Sequence, residues 1–443
     1  MRTSWSIVVV SLVVPAVAAG DVWQDRVIPC EPGLAALTSS SRILYVNNCK
    51  PGGCAVTRSN QDSALNNTSS IASGNTQMSA YMHSDEHFDA VMECVRATME
   101  PFDIQVTTQD PGPGVPHFEV MTAGTSAELN PEIQGAGGIA PFINCSATRD
   151  SVLSFVFANQ TSNIPYLCTA IVHEAGHTYG LSHTLHALDP MSYKDLGAYA
   201  KKWQNAPQTC GIEDSDPQRC RCFAGEQNTF RALRDTFGLS SALGPATMVI
   251  STPADGAYVK PGFPISARFE TALDTLDIGM TIDNGAPQPA GNGILAWNAP
   301  ASITPGTHTI TVAGTDFGDR AASQTVAVTV MASCADGATC AAGFSCLGGT
   351  CFPGANVAGG LGASCTDNAD CITGACASDG TTSVCTGVCD AGDTCPSGFA
   401  CTGNVCWPSE EGGCNAGGSP FGALLGLASL LALRPRRGRR EHD

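Results

Sequence analysis

Hydrophobic and polar positions follow two different periods in the first half of the chain. Four short runs of β-branched and aromatic residues, bounded by Gly, Pro and Asn, predict strands. These runs cover residues 42–47, 103–108, 117–122 and 151–157. Between the first two, Phe88, Val91, Val95 and Met99 recur at helical spacing after Ser84, a good N-cap residue. The spacing predicts a helix with one apolar face, which packs on a sheet.

Two more helices are predicted in the same half. One begins at Asn163 and Pro165, a cap and a first-turn proline, and continues through the sequence HEAGH. The other lies near residues 226–237, where apolar residues share one side, and stops at Gly238. Strands and helices mixed in this way predict an α/β (α+β) domain over residues 41–240.

From residue 245 to residue 332 the pattern changes to alternating strands divided by Gly, Pro and Asp turns. Such a pattern is typical of an all-β sandwich. The stretch GTHTITVAGTD resembles the late strands of bacterial Ig-like modules. That resemblance implies a spacer or an adhesive role.

Residues 334–408 contain twelve cysteines in three groups of four. The stretches CADGATCAAGFSCLGGTC and CDAGDTCPSGFACTGNVC match closely enough to indicate an internal repeat. Because this segment has little apolar surface to bury, disulfides must stabilise it. Zinc-finger spacing is absent, so we interpret the segment as a structural stalk.

The two ends carry targeting patterns. Residues 1–19 have a basic start, an apolar run and an Ala-x-Ala site, which predicts a signal peptide, followed by a short N-terminal (possible pro) segment at 20–40. Residues 412–443 contain an apolar run at about 420–433, which predicts a short hydrophobic helix, and then five arginines. Export places the 22 cysteines of the chain in an oxidising compartment, where disulfides form.

The C-terminal order of Cys414, apolar run and Arg cluster resembles the MYXO-CTERM type of sorting tail of exported bacterial surface proteins. The resemblance implies membrane contact through the tail, processing near Cys414 by a sorting enzyme, and a protein that is displayed at the cell surface or outer membrane, or secreted. The formal net charge of −18 argues against a nucleic-acid partner, since phosphate binding needs clustered Lys and Arg.

Residues 173–183, HEAGHTYGLSH, carry the candidate chemistry. His173 and His177 lie one helical turn apart, so both imidazoles project from one face and can bind one Zn²⁺. Glu174 is placed to take a proton from water and pass it to a leaving amine. Gly180 can adopt a positive φ and end the helix, so that His183 returns as third ligand and leaves the fourth position open.

These residues resemble the metzincin metalloproteases, whose signature is HExxHxxGxxH followed by a methionine turn. The resemblance implies a zinc-dependent endopeptidase that acts on protein or peptide substrates. Met191 in DPMSY is then the turn methionine, and Tyr193 is a candidate to ligate zinc or hydrogen-bond the oxyanion. Residues 137–142, GGIAPF, are expected at the cleft edge, where a peptide pairs as an added strand. His186 is a second candidate for the third ligand, but the motif favours His183.

A different class remains open: a surface adhesion protein built on a catalytically inactive metzincin scaffold. The intact Glu174 argues against it, because a decayed site commonly loses that carboxylate first. The spacing of His83, His87 and His117 does not fit the HExxHxxGxxH motif, and we interpret these residues as ordinary surface or core histidines.

Nine cysteines lie between the signal peptide and residue 222, so they cannot all pair among themselves. Cys49 and Cys54 flank a predicted hairpin tip and are expected to bridge each other. Cys30 either forms a disulfide or, as a thiolate on the zinc, keeps the enzyme latent until the residues before about Ser41 are removed.

Overall fold

The computed structural model describes residues 41–141, 145, 150–290, 294–335 and 340–409. The predicted signal peptide, the N-terminal segment with Cys30 and the C-terminal tail with its short helix lie outside these residues. Within the described residues, one compact unit comprises most of the chain up to residue 328, and a second consists mainly of residues 329–409. The described part of the chain is mostly β structure with few helices, several sheets and disulfide-rich repeats.

The segment of residues 41–240, called the α/β region below, contains the predicted mixture of strands and helices. Its strands are β1 (Ile43–Asn47), β2 (Cys54–Arg58), β3 (Thr68–Ser69), β4 (Thr76–Met78), β5 (Gln105–Thr107), β6 (Phe118–Thr122), β7 (Gly138–Ile139), β8 (Leu153–Val156), β9 (Cys210–Glu213) and β10 (Asp216–Gln218). Its α-helices are α1 (Asp85–Met99), α2 (Ser126–Leu129), α3 (Ile164–Thr178) and α4 (Thr229–Phe237). Short 3₁₀ turns lie at Ala64–Asn66, Pro131–Ile133 and Ala158–Gln160, and another, Ser241–Leu243, follows the region.

A five-stranded sheet in the order β5-β1-β6-β8-β7 forms the centre of the α/β region. The first four strands of this order are parallel, and β7 pairs antiparallel with β8 at the sheet edge. The four predicted strands are therefore confirmed as β1, β5, β6 and β8, with slightly shorter bounds. The smaller strands β2, β3 and β4 pair separately, and β9 and β10 form a hairpin.

Apolar layers cover both faces of this sheet. On one face, Val46 and Val120 join the cores of α1 and α3, which include Val95 and Ile171. On the other face, side chains such as Phe155 pack with residues of β2 and β4. Every residue of β6 and β8 is buried, including the polar Glu119 and Ser154, as expected of parallel strands covered on both faces.

The predicted helix boundaries follow from local chemistry. The Ser84 side chain accepts a hydrogen bond from the His87 amide and caps α1. Gly238 has φ 83° and follows the end of α4, as expected for a glycine at a helix C-terminus. α4 begins later than predicted, at Thr229, because the Asn228 side chain caps it.

Four disulfides hold the α/β region together. The predicted Cys49–Cys54 bridge is confirmed. Cys94–Cys168 links α1 to α3. Cys145–Cys222 joins residues that are 77 positions apart in sequence, whereas Cys210 and Cys220 are only 10 positions apart. Eight of the nine cysteines between the signal peptide and residue 222 are thus paired with one another.

Residues 247–330, called the β module below, contain strands and, within their described part, no helix. The strands are β11 (Thr247–Thr252), β12 (Ala257–Val259), β13 (Pro264–Glu270), β14 (Thr275–Ile282), β15 (Gln288–Pro289), β16 (Ala296–Asn298), β17 (Gly306–Asp316) and β18 (Ala321–Val330). One antiparallel sheet has the order β11-β13-β16, and in the other β18, β17, β14 and β15 follow one another. The segment is therefore β structure, as predicted.

The cysteine-rich segment consists of short hairpins stapled by disulfides. Its strands are β19 (Phe344–Leu347), β20 (Thr350–Pro353), β21 (Cys376–Ser378), β22 (Ser383–Cys385), β23 (Phe399–Thr402) and β24 (Val405–Pro408), with a 3₁₀ turn at Asn368–Asp370. In each group of four cysteines the first pairs with the third and the second with the fourth. The shared pairing indicates a repeated structural unit. These disulfides also indicate an extracellular or secreted protein.

Twenty of the 22 cysteines are thus paired with one another. The two that remain, Cys30 and Cys414, lie outside the described residues. Across the part of the chain that the structure describes, no helix is both long enough and apolar enough to cross a membrane.

Candidate metal centre

Helix α3 places the histidine motif against the central sheet. The Asn163 side chain accepts a hydrogen bond from the Tyr166 amide at 3.0 Å, and Pro165 occupies the first turn, as predicted. The helix ends at Thr178, and Gly180 adopts φ 89°, the left-handed conformation that glycine tolerates. The chain therefore reverses directly after the second histidine of the motif.

Three histidines converge at this reversal. His177 Nε2 lies 3.0 Å from His173 Nε2 and 3.1 Å from His183 Nε2. All three candidate ligand atoms lie within 4.8 Å of one another. Two zinc-bound nitrogens at tetrahedral angles are about 3.3 Å apart, because zinc–nitrogen bonds are roughly 2.0–2.1 Å long. The spacing of the three rings thus suits one small cation.

The hydrogen bonds of the rings fix which nitrogen faces the centre. His173 Nδ1 donates to the Pro190 carbonyl at 2.9 Å, and His177 Nδ1 donates to the Leu181 carbonyl at 2.8 Å. Each ring therefore carries its proton on Nδ1 and turns a lone pair on Nε2 toward the centre. Burial, reinforced by the neighbouring histidines, holds the pKa of His173 and His183 well below the usual value. Neutral rings are the form in which histidine binds a metal.

Glu174 is buried beside this cluster, and its position depends on a glycine of β7. A Cβ built on Gly138 would lie 2.5 Å from Glu174 Oε1. A larger residue at that place in β7 would displace the carboxylate. The segment 137–142, predicted at the cleft edge, thus contains β7, the edge strand of the sheet, directly next to Glu174.

Met191 packs against Gly176, the glycine of α3 that lies between His173 and His177 in sequence. A Cβ on Gly176 would overlap the Met191 sulfur and approach the Trp203 ring at 3.3 Å. The Met191 carbonyl accepts a hydrogen bond from the Thr184 amide at 3.1 Å, which ties the methionine turn to the residue after His183. The glycine inside HEAGH is therefore needed for the turn to approach the helix.

Tyr193 stands beside two of the histidine rings. Its ring centroid lies 4.4 Å from that of His183 and 5.6 Å from that of His173. The backbone on both sides of Tyr193 is held by Lys201, a buried residue whose Nζ donates to the carbonyls of Ser192 at 2.6 Å and Lys194 at 2.5 Å. Burial lowers the pKa of Lys201 to about 8.

Asp189 is a further residue of the site, one that the sequence pattern does not indicate. Its buried carboxylate accepts hydrogen bonds from the Met191 amide at 2.9 Å, the Gln208 side chain at 2.9 Å and the Gln204 amide at 3.2 Å, and also from Thr229. Burial raises the pKa of Asp189. Its place in the DP dipeptide before the methionine was the only sequence signal, and that signal indicates a turn rather than a buried hub.

The remaining histidines of the α/β region lie apart from the three. His186 is partly exposed and is not in the converging group. His83 and His87 donate to backbone carbonyls of residues 158–162, and His117 donates to the Val115 carbonyl at 2.7 Å. The other cysteine groups with metal-like spacing are disulfide partners. Among the described residues, the histidine triad is the group whose donors can hold a metal.

Comparisons with known proteins add little to this geometry. No protein-family model and no curated protein matches the chain. Among solved structures, the chain is similar to the fibronectin(III)-like modules of Clostridium thermocellum CbhA, with 19% identity over 19% of this chain and 94% of that chain and a TM-score of 0.16. The endo-beta-1,4-mannanase from Thermotoga petrophila matches with 13% identity over 48% of this chain and 47% of that chain, with a TM-score of 0.18. At these scores neither likeness identifies the fold or the function.

Proposed function

We propose that the protein is an exported zinc endopeptidase of the metzincin type, with His173, His177 and His183 as the zinc ligands. The observation that carries this proposal is the convergence of three histidine ring nitrogens within 4.8 Å, next to the buried carboxylate of Glu174. A catalytic zinc site uses three protein ligands, whereas a structural zinc site uses four. The described residues near the triad supply no fourth histidine, cysteine or carboxylate to that group.

Each residue of the site then has a defined task. Zinc, when bound, lowers the pKa of a water molecule and polarises the scissile carbonyl. Glu174 takes the proton of that water and gives it to the leaving amine. Tyr193, fixed by Lys201, is in place to ligate the metal or hydrogen-bond the oxyanion. Met191 supports the ligands from below.

The position of β7 supports a peptide as substrate. β7 is the antiparallel edge strand of the sheet and touches Glu174 through Gly138. An extended peptide that pairs with such an edge would lie across the triad, with its carbonyl groups near the proposed zinc.

The rest of the chain fits a protein that works outside the cytoplasm. In the proposal, the β module is an Ig-like module, the cysteine-rich repeats form a stalk, and the C-terminal tail attaches the protein to the cell surface. The competing proposal is an adhesion protein on an inactive scaffold. The two differ in whether the purified protein hydrolyses peptides.

We expect the purified protein to contain equimolar zinc and to cleave members of a quenched fluorescent peptide library. Treatment with a chelator should abolish cleavage, because no residue in the site replaces the Lewis acid, and added zinc should restore it. A protein that binds zinc without cleaving any peptide would favour the adhesion proposal. A protein that takes up no zinc would contradict the ligand assignment.

The disulfide pairing bears on the proposed latency. Because the other eight cysteines up to residue 222 pair with one another, the α/β region leaves no partner for Cys30. We therefore expect mass mapping of the full-length protein to show that Cys30 forms no disulfide with a cysteine of that region. While zinc is bound, the Cys30 thiolate should also be protected from alkylation. Removal of residues 20–40 should then raise the activity. A bridge from Cys30 to another cysteine would contradict the latency proposal.

A further inference from the structure

The β module contacts the α/β region through the turn of residues 316–320, between β17 and β18. The Phe317 ring packs edge-on against Phe230 of α4 with centroids 5.8 Å apart. The Phe317 carbonyl accepts a hydrogen bond from the buried Asn205 side chain at 2.7 Å. Asp319 pairs with Arg234 of α4. The ring and carbonyl of Phe317 and the carboxylate of Asp319 thus contact the same surface of the α/β region.

The module itself makes this turn rigid. The buried Asp316 carboxylate accepts hydrogen bonds from the Gly318 amide at 2.9 Å, from the Thr271 hydroxyl at 2.6 Å and from the Arg320 side chain at 2.9 Å. Because Thr271 lies in the segment between β13 and β14, the turn is fixed to the module by a contact distant in sequence. The turn is therefore a preformed surface.

The surface that the turn contacts is the one that holds the methionine turn. Asn205 lies next to Gln204, whose amide donates to Asp189, and accepts a hydrogen bond from the Asn228 side chain at 2.7 Å. Asn228 caps α4, and the next residue, Thr229, also donates to Asp189. Asp189 in turn holds the Met191 amide. A continuous set of polar contacts, part-buried at the turn and fully buried at Asp189, thus joins the turn of the β module to Met191.

We propose that the β module is a structural part of the metal centre, and that Phe317 is a positioning residue. Its ring, packed on Phe230, sets its main-chain carbonyl against Asn205 and so holds Asp189 and the methionine turn in place. The module is then more than a spacer. The expected effect of Phe317 on zinc affinity rests on the proposed function, whereas its expected effect on the order of the methionine turn does not.

The test uses the full chain and measures the turn directly. Amide hydrogen exchange of peptides that cover residues 188–193 and 203–209 is compared in chelator-treated wild-type protein and in Phe317→Ala. We expect exchange in both peptides to be about 2- to 30-fold faster in the variant, the range that loss of one coupling contact produces. Phe317→Leu, which keeps the apolar bulk, should restore most of the protection.

Val328→Ala is the matched control, because Val328 is buried in the same module but is not part of the turn. It should lower the thermal stability of the module and leave exchange at residues 188–193 unchanged. Equal exchange in Phe317→Ala and Val328→Ala would overturn the proposal. With zinc added, Phe317→Ala should also bind the ion about 2- to 30-fold more weakly. If the wild-type protein takes up no zinc but Phe317→Ala still exchanges faster than the wild type, the peptidase function is refuted. The role of Phe317 in positioning the methionine turn then stands.

Discussion

Replacement of Glu174 by Gln is expected to lower kcat/KM for peptide hydrolysis about 10²- to 10⁴-fold, the usual contribution of a general base and acid. The amide has the size and shape of the carboxylate, so it fits the space that Gly138 leaves. It cannot accept the proton of the attacking water. Since the proposed zinc ligands are the three histidines, bound zinc should stay at the wild-type level.

The measurement is steady-state cleavage of one selected peptide, with zinc content determined on the same samples. Glu132→Gln is the matched control, because Glu132 is exposed and lies outside the site, and it should behave like the wild type. Equal cleavage by Glu174→Gln and the wild type would remove the proposed mechanism. Loss of zinc in Glu174→Gln would instead assign the carboxylate a ligand role.

The sequence predicted those features of the site that depend on neighbouring residues. The cap at Asn163, the one-turn spacing of His173 and His177, and the positive φ of Gly180 are local properties of the chain. Such properties are encoded within a few residues, so spacing alone predicts them. The same holds for the strand runs and for the short Cys49–Cys54 loop.

Contacts between distant segments could not be predicted in this way. Gly138 meets Glu174 only because β7 returns antiparallel to the edge of the sheet. Asp189 gathers partners up to 40 residues away along the chain, and Phe317 reaches Asn205 across 112 residues. Neither hydrophobic periodicity nor secondary-structure propensity predicts such contacts, because they depend on the tertiary packing of the whole unit.

Replacement of His183 by Ala should weaken zinc binding more than any change outside the triad. Loss of a hydrogen-bond partner of a ligand typically costs 10- to 100-fold in affinity, and loss of the ligand itself should cost more than about 100-fold. Two histidine nitrogens then remain, 3.0 Å apart, with no third histidine, cysteine or carboxylate in the group among the described residues. Zinc affinity by competition with a chromophoric chelator measures the effect, and hydrolysis should fall with it.

His186→Ala decides between the two candidates for the third ligand, because His186 lies three residues further along the same loop. The backbone fixes which histidine reaches the centre. The His183 carbonyl accepts a hydrogen bond from the Gly211 amide of β9 at 3.1 Å, and the Cys210–Cys220 disulfide holds β9 in place. This pairing points the His183 ring toward His177, whereas His186 lies outside the group. His186→Ala should therefore keep wild-type zinc affinity. If His186→Ala lost the metal and His183→Ala kept it, the third ligand would be His186, and the match of this chain to the HExxHxxGxxH spacing would be fortuitous.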